Sequence, residues 1–161
     1  MLIREKQHRL QEITYKGEIS VSFTLCIEDR FPLFKKASIV NNFKNILRSE
    51  VKRSFCIVPV YCYMPDHQHL IVSGTNSEAD TLSLIRKYKQ KTGYWLAQHQ
   101  ISAGWQKDFF DHIIRKNEGL INLARYILEN PVRKGLVEDW QDYPFNGAIG
   151  CELEEVLQTM I

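Results

Sequence analysis

Two histidines, His67 and His69, stand two residues apart in a segment rich in β-branched and aromatic residues. Side chains alternate faces along a strand, so both imidazoles point the same way and Gln68 points to the opposite face. Two neutral imidazoles on one face can chelate a divalent cation while leaving coordination positions open. Open positions are what a catalytic metal needs in order to take hold of a phosphate oxygen. A His-x-His pair on its own is as a rule two strand histidines with no ligand, so it needs company before it signifies chemistry.

Tyr126 is the second candidate. On a helix predicted from about residue 118 to 130, Leu120, Leu123, Ala124, Ile127 and Leu128 form one apolar stripe. Tyr126 lies far from the centre of that stripe, among Asn122, Glu129 and Asn130. An aromatic on a helix usually belongs to the core, although tyrosine also tolerates half-exposed sites. Asn130, four residues on, can share a surface with Tyr126, and its amide oxygen could be a further metal ligand. Ahead of Pro131 it could equally be a helix C-cap.

The elements that would position these residues follow from hydrophobic periodicity. Residues 18–27 alternate apolar and polar and read as a strand. Residues 38–54 carry Ile39, Phe43, Ile46, Leu47 and Val51 at helical spacing, with Ser38 as N-cap. Residues 55–64 and 67–73 read as two strands of a hairpin broken at Pro65-Asp66, with Pro59 marking an edge or a bulge. A long helix opens near Ser77, Glu78 and Asp80 and runs to about Gln98 on the stripe Leu82, Ile85, Tyr88, Thr92, Trp95 and Leu96. Residues 105–115 suit another strand, and Pro131 is expected to stop the helix that follows. The order β-α-β-β-α-β-α is that of a split βαβ, ferredoxin-like antiparallel sheet, an α+β fold with helices on one face. A short helix from Glu152 is expected to pack outside.

The 161 residues fit one domain, 1–161, with a short extension over about 138–161. No apolar run approaches the ~20 residues of a membrane helix, and the first residues lack the apolar region of a signal peptide. The four cysteines include no Cys-x-x-Cys pair, which argues against a zinc knuckle or redox motif and for reduced thiols. A net charge of +2 neither demands nor excludes nucleic acid. The basic residues do cluster, with Lys44, Arg48 and Lys52 along one side of a helix, then Arg86, Lys87, Lys89 and Lys91, Arg115-Lys116, and Arg133-Lys134. Solvated helix faces would give the same clusters. His112 reads as a satisfied structural histidine, and His8 and His99 as surface residues.

Four strings carry a family resemblance: Tyr61-Cys-Tyr-Met-Pro-Asp-His-Gln-His-Leu-Ile, Trp105-Gln-Lys-Asp-Phe-Phe-Asp-His-Ile-Ile-Arg115, Ala124-Arg-Tyr-Ile-Leu-Glu-Asn-Pro-Val-Arg-Lys-Gly-Leu-Val137 and Tyr143-Pro-Phe-Asn. With them the chain resembles the single-tyrosine HUH transposases of bacterial insertion sequences, and most of all their REP-associated branch. The resemblance implies His67 and His69 as metal ligands and Tyr126 as nucleophile, and suggests Asn130 as third ligand. It implies Mg2+ or Mn2+ as cofactor, single-stranded or hairpin DNA as partner, and a cytoplasmic, nucleoid-associated enzyme. Insertion-sequence relatives form homodimers that exchange tyrosine helices, whereas REP-associated relatives can act as monomers. The Tyr143-Pro-Phe-Asn tail departs from the usual double-serine ending.

On this reading the metal polarises the scissile phosphate and Tyr126 attacks to leave a 5′-phosphotyrosyl enzyme and a 3′-hydroxyl. The linkage is conserved, so strands can be rejoined without ATP. Lys44, Arg48, Arg86, Lys89, Arg115 and Arg133 would hold the DNA, Arg86 and Lys89 foremost. Two other readings stand beside it: a non-catalytic nucleic-acid-binding module on the same fold, lacking the aromatic RNP pattern, and a metal phosphodiesterase that uses water.

Overall fold

A computed structural model describes residues 12–115 and 117–158. Its frame is the hairpin of β2 (Cys56–Met64) and β3 (His67–Gly74), joined by the two-residue turn Pro65-Asp66 with Met64 paired to His67. β1 (Ser20–Cys26) pairs antiparallel with β3, and β4 (Phe110–Ile114) pairs with β1. The crossovers are α1 (Ala37–Lys52) between β1 and β2, and α2 (Thr81–Gln98) between β3 and β4. The resulting order, β4-β1-β3-β2, is the ferredoxin-like arrangement expected, and a fifth strand, β5 (Asn146–Ile149), adds to the β2 edge. Pro59 sits at a bulge, where the β2 register slips by one residue between Ile57 and Val60.

The alternation of side chains builds two cores. Val21, Phe23, Leu25, Tyr61, Tyr63, Leu70 and Val72 face α1 and α2, whose buried stripes include Phe43, Leu47, Ile85 and Tyr88. Val60, Cys62, Met64 and Ile71 face the other way and are covered by Ala124, Ile127 and Leu128 of α3 (Asn117–Leu128), with α5 (Leu153–Gln158) beside it. The helices therefore lie on both faces, not one. β2 and β3 are apolar on both sides, and the stripe of α3 supplies the second cover.

Other expectations change locally. Ser38 lies inside α1, and Lys36 occupies the cap position without a side-chain hydrogen bond. α2 starts at Thr81, where Asp80 is a true N-cap accepting from the Ser83 amide at 3.0 Å. Strand pairing at β4 begins at Phe110, while Trp105 makes an isolated bridge to Ile27 and donates Nε1–H to Thr92 at 2.8 Å. The tail is part of the sheet. Tyr143 is buried and donates to the Tyr63 carbonyl at 2.6 Å, while the Tyr63 amide donates to the Phe145 carbonyl at 2.8 Å. All four cysteines are free.

Gln68, between the two histidines, is fully buried in the α1/α2 core. The Tyr88 hydroxyl donates to Gln68 Oε1 at 2.7 Å and lies 3.0 Å from the Tyr63 hydroxyl, but Gln68 Nε2 has no hydrogen-bond partner among the described residues. Removing the Tyr88 hydroxyl would leave both polar atoms of a buried amide unsatisfied. Tyr88→Phe is expected to destabilise the fold by about 1–3 kcal/mol in a denaturant melt, and pairing it with Gln68→Leu is expected to recover most of that loss.

Candidate active site

His67 and His69 lie on the α3 face of the sheet, as alternation requires. Their Nε2 atoms face each other at 3.1 Å, with the rings edge to face. Two nitrogen ligands at about 2.1 Å from one metal stand about 3 Å apart at an octahedral angle and about 3.4 Å apart at a tetrahedral one. The observed spacing lies between, so the pair fits a shared divalent cation. Among the described residues no group of three His, Cys, Asp or Glu is placed to hold a metal ion, so these residues offer the pair no third ligand of those types.

Each ring is held by its other nitrogen. His67 Nδ1 lies 2.6 Å from Asp66 Oδ1, and an ionised carboxylate only accepts, so Nδ1 carries the proton and Nε2 is left with its lone pair. His69 Nδ1 lies 3.0 Å from Thr24 Oγ1. A hydroxyl can donate or accept, so Thr24 tolerates either tautomer of His69. Without a metal, His69 Nε2–H can donate to His67 Nε2. With the proton moved to Nδ1, both Nε2 lone pairs are free.

Asp66 is itself buttressed. Arg30 Nε lies 3.1 Å from its Oδ2, and Arg30 also donates to Cys26 Sγ at 3.2 Å. Arg30 and Asp29 both adopt left-handed backbone, with φ of +54° and +56°, a conformation that costs a non-glycine residue on the order of 1 kcal/mol. That turn aims the guanidinium at the hairpin tip, whose Asp66 and Pro65 carbonyls accept from the Ile27 and Phe34 amides at 2.9 and 3.0 Å. Neither Arg30 nor Thr24 carried any sequence signal, because both reach the site only through strand pairing.

Burial lowers the affinity of both imidazoles for protons. For His67, burial outweighs the opposing pull of Asp66. For His69, burial and then the charges of His67, Arg133 and Arg30 push the value down to about 3. Burial thus favours the neutral, metal-binding form of both rings, and His69 keeps that form down to about pH 3. The unfolded chain takes up a proton on His69 as pH falls through 6.5, whereas the folded chain does not until about 3, so this stability is fully present above 6.5 and is lost between those values. In EDTA, wild type is expected to lose on the order of 1–2 kcal/mol between pH 7 and pH 5 through this group, and the loss is expected to shrink in His69→Gln.

Tyr126 is 56% exposed on α3, off the buried stripe as its wheel position implied. The helix breaks at Glu129, and Pro131 opens the short α4 (Asn130–Arg133) instead of ending the chain's helical run. Proline fits there because the first turn of a helix needs no N–H. Asn130 is thus no C-cap. It is 8% exposed, and its amide makes no hydrogen bond among the described residues. Arg133, one turn on, donates to the Tyr126 carbonyl at 2.6 Å and stacks its guanidinium 3.8 Å from the centre of the Tyr126 ring. Its charge also acts on His69, as that of Lys134 acts on His67. Arg133 is thus in contact with Tyr126 and within electrostatic range of His69.

Other sequence candidates lie elsewhere. Lys44 and Arg48 are on α1, and Arg86 and Lys89 on α2, across the sheet from the histidines. Lys89 is engaged in the fold, donating to the Gln106 and Lys107 carbonyls at 2.9 and 3.1 Å and standing over the Phe109 ring. His112 is exposed and makes no hydrogen bond among the described residues, so it is not a satisfied structural histidine. His99 is exposed and stacks on Trp95, and His8 lies outside the described residues.

The family model described as "Transposase IS200 like" matches residues 15–130. A putative REP-associated tyrosine transposase of Haemophilus influenzae is 25% identical over 135 residues, which cover 77% of this chain and 76% of the relative. A REP-associated tyrosine transposase of Escherichia coli is 28% identical over 89 residues, covering 55% and 52%. The solved structure of a REP-associated tyrosine transposase bound to a REP hairpin shares the fold, with a TM-score of 0.72 at 21% identity over 88% of this chain and 81% of that one.

Proposed function

Because this chain belongs to the IS200-like transposase family, we propose that it nicks and rejoins single-stranded DNA, with Tyr126 as nucleophile and His67 and His69 as metal ligands. The observation that carries this reading is Arg133, whose guanidinium stacks on the exposed Tyr126 while its charge reaches His69. A nucleophile on one element and a cation site on another are useful only if they converge, and Arg133 touches the one and lies within electrostatic range of the other.

A bound Mg2+ or Mn2+ would polarise the scissile phosphate and offset the charge that develops on it. His67 and His69 would hold the ion through Nε2, and the amide of Asn130 is the nearest candidate in sequence to Tyr126 for a third position. Tyr126 Oη forms the new bond to phosphorus as the 3′-oxygen leaves, so one phosphoester replaces another and the reverse attack by a 3′-hydroxyl rejoins the strand. Arg133 keeps the ring in place and adds positive charge where the phosphate must sit. Asp66 holds His67 in the tautomer that presents Nε2. Single-stranded DNA beside a hairpin is the substrate this reading favours, since a paired backbone restricts in-line approach.

The test is covalent capture. A 5′- or 3′-labelled single strand carrying the chain's own flanking DNA is incubated with Mn2+, and the protein is denatured. Label on the protein from the 3′-labelled strand only, dependent on Mn2+ and absent when EDTA is present during the incubation, is the expected result. Cleavage without protein-bound label would mean that water is the nucleophile. Asp66→Asn is expected to weaken Mn2+ binding about 10- to 100-fold in an EPR titration, with the melting temperature little changed.

A further inference from the structure

The strand register carries a row of side chains outward from the histidine pair. His69 pairs with Thr24 on β1, and Thr24 pairs with Phe110 on β4. In the adjacent row Ile71 pairs with Ser22, and Ser22 with His112. Paired residues share a face, so Phe110 and His112 lie on the same side of the sheet as the imidazoles. Phe109, one residue earlier, takes the opposite face and packs against Phe23 in the α1/α2 core. Among the described residues neither core includes Phe110.

Among the described residues this part of the sheet is only partly covered. α3 runs from β4 at Ile114 across to β2, leaving Ser22, Thr24 and Phe110 half-buried and His112 exposed. No strand residue on that face of β4, β1 and β3 is acidic, because Asp111 turns inward to accept from Tyr15. The floor ends at a cleft of about 680 Å³ edged by Ser20, Ile114 and Arg115, with Glu18 at the same edge as the one carboxylate among its lining residues. An aromatic ring and an imidazole on a floor without carboxylates, between a candidate phosphate-activating pair and an arginine, have the character of a nucleobase platform.

We propose that Phe110 and His112 form a stacking subsite for the unpaired bases beside the scissile phosphate. The occupant is single-stranded DNA: neutral hydroxyls and π-faces receive bases, and Arg115 receives the backbone. This rests on the DNA-nicking reading above and adds to it the path of the strand. It also uses the Asp-Phe-Phe-Asp-His string, which the catalytic reading leaves without a role.

The experiment measures binding, so it separates from Tyr126 chemistry. In a Tyr126→Phe background with Mn2+, affinity is read for an oligo(dT) of about 12 nucleotides by fluorescence anisotropy. Phe110→Leu is expected to bind about 5- to 150-fold more weakly, Phe110→Tyr to bind like the parent, and His112→Ala to lose part of the affinity. Mn2+ affinity is expected to stay unchanged in all three. Parent-like affinity in Phe110→Leu would overturn the subsite even if Tyr126 is the nucleophile. Should Phe110→Leu fail to fold, the intact protein is cross-linked to an iododeoxyuridine-substituted strand. Cross-links at Phe110 or His112 support the proposal, and cross-links confined to other elements overturn it. A wild-type chain that forms no tyrosyl adduct yet loses affinity in Phe110→Leu would remove the nucleophile and keep the subsite.

Discussion

Tyr126→Phe is expected to abolish covalent capture of single-stranded DNA and to lower cleavage by at least about a thousandfold. DNA affinity is expected to stay within about twofold and the melting temperature close to wild type. The physical basis is that Tyr126 is 56% exposed and lies outside the apolar stripe that holds α3 to the sheet. Deleting one hydroxyl removes no core contact. It removes the oxygen that would replace the leaving 3′-oxygen on phosphorus. The ring stays, so the Arg133 stack stays. Cleavage that persists in this variant would identify a water-using phosphodiesterase on the same site. A wild-type chain that binds but neither cleaves nor captures DNA would be a binding module.

The second large effect is expected at the histidines. His67→Ala or His69→Ala is expected to cut Mn2+-dependent cleavage by about 100- to 10,000-fold, since the ion's contribution to charge stabilisation is several kcal/mol. Single-strand binding is expected to survive, because the basic and aromatic groups remain. The two variants differ in stability. His69 is held neutral by burial and by three neighbouring cations or imidazoles, so its removal relieves an acid-sensitive penalty. His67 is additionally tied to Asp66, so its removal leaves a carboxylate with Arg30 alone. His67→Ala is therefore the more damaging to the fold, and His69→Ala the cleaner test of the metal.

Much of the architecture is legible in the chain because alternation and helical spacing are strong in its central elements. The β2/β3 hairpin, α1, α2 and the off-stripe position of Tyr126 all follow from local pattern. What local pattern leaves out is tertiary. Asn146-Gly-Ala-Ile149 has one β-branched residue and little strand character, and the buried Tyr143 anchors this tail against Tyr63 beside β2. Helices on one face follow from counting crossovers, but the apolar residues on both sides of β2 require the second layer that α3 provides. Pro131 reads as a stop from its chemistry, yet a helix that has already broken at Glu129 can restart on it. At the site, the two histidines and Tyr126 are visible as residue types at suggestive spacing. Asp66, Arg30 and Thr24 are not, since their roles arise from the hairpin tip, a left-handed turn and a cross-strand pair. The same limit applied to His112, whose openness is a consequence of where α3 crosses the sheet.

The central claim is that one tyrosine hydroxyl takes the phosphate. It is tested most directly by digesting the denatured protein–DNA adduct with nuclease and protease and mapping the modified peptide by mass spectrometry. The expected result is a nucleotide 5′-phosphate esterified to Tyr126 in the peptide that spans α3. A modification on any other residue, or a 5′-phosphate product with no modified peptide at all, would contradict it.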